Sequence, residues 1–239
     1  MKKTKRIMII PARGNSKRIK NKNIKEFCGN PIIHYAINSA VKSNLFDKIH
    51  VSTDSLKVKK TVEKIKIKID FMRPKKLSGD FTPLIDVFRY VIKEYSRKGF
   101  EYDEVWSLMP CTPLIDFTDL RKVSSFYRKQ TLKKPILSLS KYKVPIQWAY
   151  KIEKNNKIRP LNSKFHKIRS QDLLEHYFDA GQFVMFPIKF IKSMSAKKIN
   201  NSFKGYILPS EKSIDIDNYD DWKFAEITYK GLNKKNLRF

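Results

Sequence analysis

Cysteine, acidic side chains and long apolar runs are scarce in this chain of 239 residues. Its two cysteines, Cys28 and Cys111, lie far apart and neither belongs to a Cys-x-x-Cys pair, so a disulfide framework or a cysteine zinc site has no support. No uncharged apolar run approaches the roughly 18 residues that a membrane-spanning helix needs. The basic start is followed by only a short apolar stretch before Pro11. We therefore expect a cytoplasmic protein with no membrane insertion.

Two glycine-rich signatures are also absent. The chain contains neither Gly-x-x-x-x-Gly-Lys-Ser/Thr nor Gly-x-Gly-x-x-Gly, which removes the usual support for P-loop hydrolysis and for dinucleotide binding. Hydrophobic residues make up 41% of the sequence and aromatic residues 13%. This apolar content is enough for one large core or two small ones and argues against intrinsic disorder.

Positive charge is abundant and unevenly placed. The 51 Lys and Arg residues exceed the 23 Asp and Glu residues by 28. Residues 1–25 contribute 10 basic and no acidic residues, and residues 120–171 contribute 15 basic residues and one acidic residue, so these segments carry +10 and +14. A basic nucleic-acid-binding protein is therefore the alternative from a different class, although lysine-rich usage also follows from genomic nucleotide bias. The motifs of DNA- and RNA-binding modules and interleaved aromatic residues are absent, so we expect no nucleic-acid partner.

Apolar periodicity predicts alternating strands and helices through about residue 140. Predicted strands cover 5–11, 47–54, 66–71, 104–109, 135–140 and 181–186, and predicted helices cover 31–41, 55–64, 82–92, 116–130 and 219–229. Thr82 and Pro83 are interpreted as the N-cap and first-turn residues of one helix. The alternation favours an α/β fold with a doubly wound, mostly parallel sheet and an active site at the carboxyl ends of its strands. Residues 141–170 depart from the pattern and are interpreted as an inserted arm in a single domain spanning 1–239.

The loop after the first strand, residues 9–23, is a candidate phosphate site. It combines exposed backbone amides with Arg13, Ser16, Lys17 and Lys22, and such donors match the oxygens of a polyphosphate. A merely solvated basic loop is the competing interpretation.

An acidic segment at residues 213–221 is a candidate metal site. In an extended chain Asp215 and Asp217 point to the same side and offer two hard oxygens to Mg²⁺. The competing interpretation is a helix N-cap with first-turn acids before Trp222, and Asp217 could serve at the junction of both.

The sequence IIPARGNSKRIKNKNI at 9–24 resembles the signature of the CMP-sialate synthetases, or acylneuraminate cytidylyltransferases. Further matches follow in order and cover most of the chain: VSTD at 51–54, RPKKLSGDFTP at 73–83, LMPCTPL at 108–114 and DIDNYDD at 215–221. The stretch RSQDLLEHYFDAGQF at 169–183 looks most like the branch that acts on pseudaminic acid. The resemblance implies a Rossmann-like nucleotidyltransferase fold and a homodimer joined through the arm at 141–170.

The implied reaction joins CTP and a nonulosonic acid into a CMP-sugar and pyrophosphate, by direct in-line attack of the anomeric hydroxyl on the α-phosphorus. Catalytic roles fall to Arg13, Lys22 and Asp217, with Mg²⁺ on Asp215 and Asp217. Residues expected around CTP are Ala12, Arg13, Gly14, Asn15, Ser16, Lys22, Asn23, Arg73, Ser78 and Thr82. Residues expected around the sugar are Thr112, Arg169, Gln171, His176, Tyr177, Asp179, Gln182 and Phe183, and Asp54 should line the pocket.

Three of these assignments have a competing interpretation or a special role. Arg73 could instead be a surface loop residue, and Phe183 could be a core aromatic. Arg169 suits the sugar carboxylate, which needs a cation and ideally a bidentate arginine. Because the arm of this family reaches the neighbouring subunit, we hypothesise that Arg169 acts in trans.

The chain departs from the family pattern at three places. Asn15 replaces the second glycine of ARGGSK, which is tolerable because asparagine visits left-handed backbone conformations more readily than most residues. Leu108 and Met109 replace the usual pattern before the proline-containing loop, and Val184 and Met185 stand where the pseudaminate branch commonly has Tyr-Trp. The same reaction on legionaminate or N-acetylneuraminate is therefore the closer alternative, and 3-deoxy-manno-octulosonate is disfavoured.

Overall fold

A six-stranded sheet organises the chain, for which a computed structural model describes residues 3–193 and 202–235. The strands are β1 (Arg6–Pro11), β2 (Glu26–Phe27), β3 (Asn30–Pro31), β4 (Lys48–Ser52), β5 (Glu104–Leu108), β6 (Ile136–Lys141), β7 (Tyr150–Ile152), β8 (Ile158–Pro160), β9 (Tyr177–Pro187) and β10 (Lys204–Ile207). The α-helices are α1 (Ile33–Ser43), α2 (Leu56–Glu63), α3 (Leu84–Arg97), α4 (Phe117–Arg128), α5 (Ile188–Ser193) and α6 (Tyr219–Lys235).

The sheet is mostly parallel, as the sequence predicts. Its order is β10-β6-β9-β5-β1-β4. β1 runs parallel to β4 and β5, β10 runs parallel to β6, and β9 is antiparallel to both of its neighbours. The carboxyl ends of β1, β4 and β5 consequently meet at one edge of the sheet, where the loops at 12–25, 53–55 and 109–116 begin.

Alternating side chains of β1 feed two separate cores. Met8 and Ile10 join the cluster formed with α1, α2 and α4, whereas Ile7 and Ile9 join the cluster formed with α3 and α5. All four side chains are fully buried. Helices therefore cover both faces of the sheet, which explains why β1 reads as a continuous apolar run.

A third cluster fixes the C-terminal helix against the loop that follows β1. Ile19 and Phe27 from that region pack with Ile216, Trp222 and Ala225, and all five are buried. The ring centroids of Phe27 and Trp222 lie 5.6 Å apart in an edge-on arrangement. Residues from opposite ends of the sequence are thereby held together by apolar packing.

The predicted strand at 66–71 is wrong. Lys66 has a left-handed φ of 63°, and Ile69 enters the core under α1 and α2 while Phe71 packs on the opposite core and stacks on His50 at 4.5 Å. Residues two apart in a strand point to the same face. Because Ile69 and Phe71 enter different cores, this segment does not have the geometry of a strand. Tyr95 fixes it by donating a hydrogen bond from its hydroxyl to Asp70 Oδ2 over 2.7 Å.

The predicted capping role of Thr82 is also wrong. The cap position of α3 is held by Pro83, which is extended and offers no side-chain hydrogen bond, and the helix begins at Leu84. Thr82 instead closes a turn, because its backbone N–H donates to the Gly79 carbonyl over 3.3 Å.

Residues 141–170 form an exposed arm between β6 and β9. The arm contains the antiparallel hairpin β7–β8, whose connection includes Asn155 and Asn156 at φ values of 61° and 59°. Ile152 pairs with Ile158 across the hairpin, and these side chains are 70% and 60% exposed. Within residues 3–193 and 202–235, no helix has the length and apolar character needed to cross a membrane.

Candidate active site

The loop after β1 is fixed at its first turn by backbone contacts with the loop after β4. The Ala12 N–H donates to the Ser52 carbonyl over 2.9 Å, and the Gly14 N–H donates to Asp54 Oδ1 over 2.8 Å. A Cβ atom on Gly14 would lie 2.6 Å from the Cβ of Ser55, so only glycine fits this approach. The segment 12–14 is therefore held against the carboxyl end of the sheet.

Asn23 fixes the other end of the same loop. Its side chain is 8% exposed and donates from Nδ2 to the Arg13 carbonyl over 2.9 Å, while the Cys111 thiol donates to Asn23 Oδ1 over 3.4 Å. Burial raises the pKa of Cys111 to about 12, so this thiol remains protonated and serves packing. The predicted nucleotide residue Asn23 lies inside the site as a brace of the loop.

Asn15 and Ser16 lie at the outer part of the loop. Asn15 is exposed and has no positive φ; the left-handed residue of this loop is Asn21, at φ 54°. The expectation that Asn15 uses a left-handed backbone is therefore wrong. An ordinary φ explains how a side chain is accommodated at this position, since L-residues adopt it freely.

The loop and the acidic segment meet through two cations. Lys22 Nζ donates to the Ile216 carbonyl over 2.5 Å and lies 3.5 Å from Asp217 Oδ1. Arg18 NH2 lies 2.8 Å from the same carboxylate oxygen. The basic loop and the carboxylates therefore lie together, although Lys22 and Asp217 are 195 positions apart in the sequence.

The cap of α6 is formed by residues next to Asp217. Asn218 Oδ1 accepts hydrogen bonds from the N–H groups of Asp220 and Asp221, and Asp221 Oδ2 accepts from those of Asp217 and Asn218, each over 2.8 to 2.9 Å. The capping interpretation is thus confirmed, and the metal interpretation stays a prediction. Capping falls to Asn218 and Asp221, which leaves the Asp217 carboxylate facing the loop.

Asp215 lies beside Asp217 and next to β9. A Cβ atom placed on Gly181 would lie 3.3 Å from Asp215 Oδ2, and Gly181 has a φ of 62°. Burial raises the pKa of Asp215, and the charge of Asp217 raises it further. Two carboxylates that disfavour each other's charge in a half-buried place are suited to a shared cation.

Arg73 is buried under the loop, not exposed on the surface. It is 7% exposed, and its guanidinium donates to the Ser52 hydroxyl over 3.0 Å and to the Ser52 carbonyl over 2.6 Å. Burial lowers the pKa of Arg73 to about 10, nearby Asp54 opposes this shift and Arg13 adds to it. The side chain is therefore still a cation near neutral pH, located between the loops that follow β1 and β4.

Ser78, Thr82 and Thr112 use part of their hydrogen-bonding capacity within the protein. The Ser78 hydroxyl donates to the Pro74 carbonyl over 3.2 Å, and the Thr112 hydroxyl donates to the Met109 carbonyl over 2.8 Å. Thr112 is 1% exposed. Ser78 and Thr82 flank the turn that carries Asp80, and Asp80 contacts Arg13, so they border the phosphate loop.

The predicted sugar residues divide into two groups. Gln182, in the first group, adjoins the acidic segment, because its Nε2 donates to the carbonyls of Ala180 and Ile214 over 2.7 and 3.2 Å. Gln182 and Phe183 are each 2% exposed, and Phe183 forms part of the wall of the cavity described below. Contact of either side chain with a sugar stays a prediction. β9 is covered on both faces between β5 and β6, so its side chains at these positions pack inward.

The other predicted sugar residues lie on exposed chain at the base of the arm. Arg169 pairs with Asp172 at 2.8 Å, Tyr177 donates to Glu175 Oε2 over 2.8 Å, and His176 lies 2.9 Å from the Leu174 carbonyl. Gln171 is exposed, and Asp179 accepts from the Gly181 N–H over 2.9 Å. Among the described residues, none of the hydrogen bonds or ion pairs of Arg169, Gln171, His176 and Tyr177 reaches the phosphate loop or the acidic segment.

A largely apolar cavity of about 550 Å³ opens beside Gly181. Its wall is formed by residues from the start of α3, the end of β5 and the strands β6 and β9: Pro83, Leu84, Ile85, Phe88, Met109, Leu137, Asp179, Gly181, Phe183, Val184, Phe186 and Phe203. Asp179 is the only ionisable group among these lining residues. The cavity therefore adjoins the carboxylate pair with an apolar wall.

The sequence did not predict the ion pairs that the loop makes with Asp80, nor the pair between Arg18 and Asp217. Asp80 pairs with Arg13 and Lys17, and Arg18 pairs with Asp217. A signal for them was present, because residues 1–25 contain ten cations and no acid. Such a loop must draw its counter-charges from acids elsewhere in the chain.

Comparison with known proteins gives this site its context. A family model described as "Cytidylyltransferase" matches residues 7–186, which include β1, the phosphate loop and β9 up to Phe186. The chain belongs to the cytidylyltransferase family. Its fold is therefore that of a nucleotidyltransferase.

The curated relatives of this cytidylyltransferase are named for reactions on related sugar acids. A pseudaminic acid cytidylyltransferase of Campylobacter jejuni is 34% identical over 228 residues, covering 95% of this chain and 97% of the relative. A CMP-N,N'-diacetyllegionaminic acid synthase of Legionella pneumophila is 23% identical over 222 residues, covering 92% and 94%. The resemblance to the CMP-sialate synthetases seen in the motifs is confirmed.

A solved structure of a CMP-2-keto-3-deoxy-manno-octonic acid synthetase complexed with CTP superimposes with a TM-score of 0.67. It is 15% identical, and the match covers 94% of this chain and 98% of that chain. This likeness concerns the fold, and it confirms the predicted nucleotidyltransferase architecture.

The cytidylyltransferase family suggests a divalent metal, and the residues present fit one. Asp215 and Asp217 supply hard oxygens, and the pKa of Asp215 is raised by burial first and then by the charge of Asp217, a repulsion that a cation would relieve. Within the described ranges no group of three or more His, Cys, Asp or Glu side chains forms a ready metal cage. Two carboxylates suit a cation that takes its remaining ligands from phosphate oxygens and water.

Proposed function

We propose that this cytidylyltransferase joins CTP and pseudaminic acid into CMP-pseudaminic acid and pyrophosphate. The observation that carries the proposal is the contact of Lys22 with Ile216 and Asp217, because it unites a polyphosphate loop and a carboxylate pair. The relative that is 34% identical over nearly the whole chain supports pseudaminic acid as the acceptor. We place this activity in the cytoplasm, where CTP is available.

In the proposed reaction the anomeric hydroxyl of the sugar attacks the α-phosphorus of CTP. The new bond joins the anomeric oxygen to phosphorus, the bond from the α-phosphorus to the bridging oxygen breaks, and pyrophosphate leaves with its electron pair. Arg13 and Lys22 hold the phosphates and stabilise the charge that develops on the leaving group. Positioning of both substrates supplies most of the remaining acceleration.

Mg²⁺ is the proposed metal, held by Asp215 and Asp217. It would neutralise phosphate charge and lower the pKa of the attacking hydroxyl. Lys22 and Arg18, which contact Asp217, would hold that carboxylate in position. Buried Arg73, with Asn23, Ser78 and Thr82, would border the nucleoside part of CTP.

The proposed acceptor site extends from the cavity beside Gly181 toward the base of the arm. Arg169 is 73% exposed and, among the described residues, its ion pair is with the exposed Asp172, so its guanidinium could exchange that partner for the carboxylate of a sugar bound to a second subunit. Gln171, His176, Tyr177 and Asp179 would contribute polar groups from the same region. The proposed enzyme is accordingly a homodimer in which the arm of one subunit completes the site of the other.

The test of the function is pyrophosphate release from each of the four common nucleoside triphosphates, with and without pseudaminic acid and Mg²⁺. We expect release from CTP only when both the sugar acid and the metal are present, and loss of release when EDTA is added. Release from CTP at the same rate without any sugar acid would contradict the proposal.

A complementation experiment tests the role of Arg169 in trans. Chains carrying Arg169→Ala and chains carrying Asp217→Asn are mixed under conditions that allow exchange of subunits. Each variant alone should be nearly inactive, and the mixture should regain part of the activity because one site of each mixed dimer has both residues. Absence of recovery, with mixed dimers verified by mass spectrometry, would refute action in trans.

A further inference from the structure

Asp80 forms ion pairs with two cations of the phosphate loop. Its Oδ1 lies 2.5 Å from Arg13 NH1, and its Oδ2 lies 2.5 Å from Lys17 Nζ. Hydrogen bonds from Lys17 and then from Arg13 lower the pKa of Asp80. The carboxylate is therefore ionised and stands where these side chains would otherwise meet an anion.

The turn that carries Asp80 has little other anchorage to the protein. It spans 78–82 between a short 3-10 helix and α3, contains Gly79, and closes through the Thr82 to Gly79 backbone hydrogen bond. Phe81, next to Asp80, is 99% exposed. A turn with no buried apolar side chain at its tip can move away from the loop at small cost.

The electrostatics make Asp80 a competitor of phosphate. Arg13 and Lys17 can pair fully with Asp80 or with a phosphate oxygen, and an anion that enters must displace a negative charge from both cations. When pyrophosphate leaves, the Asp80 carboxylate pairs with Arg13 and Lys17 again. An ionised side chain within reach of a phosphate site therefore weakens anion binding and promotes release.

We propose that Asp80 is an internal counter-ion that competes with CTP and pyrophosphate for Arg13 and Lys17, and so speeds the release of pyrophosphate. This inference rests on the proposed function, since it requires the loop to hold the phosphates of CTP. It assigns a role in turnover to a residue outside the expected set of site residues.

The test is calorimetric titration of the full-length protein with pyrophosphate in the presence of Mg²⁺, at low and high ionic strength. Asp80→Asn keeps the size of the side chain and removes its charge. We expect pyrophosphate to bind this variant roughly three- to tenfold more tightly, the scale of two exposed ion pairs, with a smaller difference at high salt. Product inhibition by pyrophosphate in the CTP assay should strengthen by a similar factor.

Two further variants separate the possible outcomes. Asp86→Asn is the matched control, because Asp86 pairs with Arg89 in the first turn of α3 and its change should leave pyrophosphate affinity as in the wild type. Arg13→Ala should weaken binding. If Arg13→Ala has no effect, the proposed phosphate site is wrong. If Arg13→Ala weakens binding but Asp80→Asn leaves it unchanged or weaker, the phosphate site stands and the role of Asp80 is refuted.

Discussion

Gly14 lies where the phosphate loop passes closest to the start of α2. Ser55 caps that helix by accepting a hydrogen bond from the Val58 N–H, and a Cβ atom at residue 14 would meet the Ser55 Cβ at 2.6 Å. The contact is with the base of a side chain that is itself fixed, so the loop would have to move. The Gly14 N–H also donates to Asp54. A side chain at residue 14 would therefore disturb this hydrogen bond and the position of the loop.

Gly14→Ala should therefore displace the loop. We expect a loss of about 1 to 3 kcal/mol in the free energy of unfolding, the usual cost of overpacking, together with a raised KM for CTP. Gly231→Ala is the control, because among the described residues a Cβ at that helical position meets nothing within 4 Å beyond the adjacent backbone of its own helix, and it should stabilise the protein by up to about 1 kcal/mol. Chemical denaturation and CTP kinetics measure both. A neutral effect of Gly14→Ala would show that the loop has room the structure does not give it.

Asp217→Asn tests the charge of the carboxylate that faces Lys22 and Arg18. The variant keeps the shape of the side chain, and we expect turnover to fall about a hundredfold or more because charge stabilisation at the reacting phosphate is lost. The fold should persist, since Asn218 and Asp221 cap α6. Asp220→Asn, on the first turn of the same helix, should retain activity. Near wild-type rates for Asp217→Asn would remove the metal assignment.

At the scale of elements, α4 anchors the acidic segment through Lys212. Asp116 caps α4 in a capping box with Asp119, and Lys212 Nζ lies 2.7 and 2.6 Å from these two carboxylates. Burial opposes ionisation of Asp116, but the hydrogen bonds from Lys212 and Thr118 outweigh it and lower the pKa to about 2. Lys212 is three residues before Asp215, so this cluster helps to place the carboxylate pair.

This cluster predicts a pH-dependent contribution to stability. The folded pKa of Asp116 lies below its ordinary value of 3.8, so the stabilisation is complete above about pH 4 and is lost as the pH falls toward about 2. Lys212→Met should lower the free energy of unfolding by about 1 to 3 kcal/mol at pH 6, and the difference from wild type should shrink below pH 4. Lys223→Met, an exposed lysine on α6, should show a small difference at every pH. A difference that is constant from pH 6 to pH 3 would contradict this assignment.

Sequence patterns predicted the elements whose periodicity is set by the core. The run at β1 and the heptad-like spacing of α1 and α3 follow directly from burial, and the polyphosphate loop and acidic segment followed from residue chemistry. The segment 66–71 was mispredicted as a strand because its apolar residues alternate in sequence. In the structure Ile69 and Phe71 enter different cores, and the segment pairs with none of the described strands. The sequence alone does not show that β9 lies between β5 and β6 with side chains in both cores, and the contact of Gln182 and Phe183 with a sugar stays a prediction.

At the scale of the whole molecule, the positions of the basic residues are more informative than the net charge of +28. Six of the ten N-terminal cations lie in the loop that meets Asp80 and Asp217, and the second share lies in the α4 region and the exposed arm. The distribution suits small anionic substrates, whose approach it would accelerate at low salt.

The arm predicts the oligomeric state. Ile152 and Ile158 face each other across the hairpin and are both largely exposed, which favours burial against a second subunit. We expect a dimer in analytical ultracentrifugation, and a monomer when Ile152→Glu and Ile158→Glu are combined. If Arg169 acts in trans, the monomer should also lose activity. A wild-type monomer, or a dimer that persists in the double variant, would contradict the role given to the arm.

The central claim is that the loop and the carboxylates build a site for the transfer of CMP to pseudaminic acid. The most direct measurement is a competition in which equal concentrations of pseudaminic, legionaminic, N-acetylneuraminic and 3-deoxy-manno-octulosonic acids share a limiting amount of CTP with Mg²⁺, and mass spectrometry identifies the products. We predict that CMP-pseudaminic acid predominates. Predominance of another CMP-sugar would overturn the acceptor, and the absence of every CMP-sugar would contradict the account.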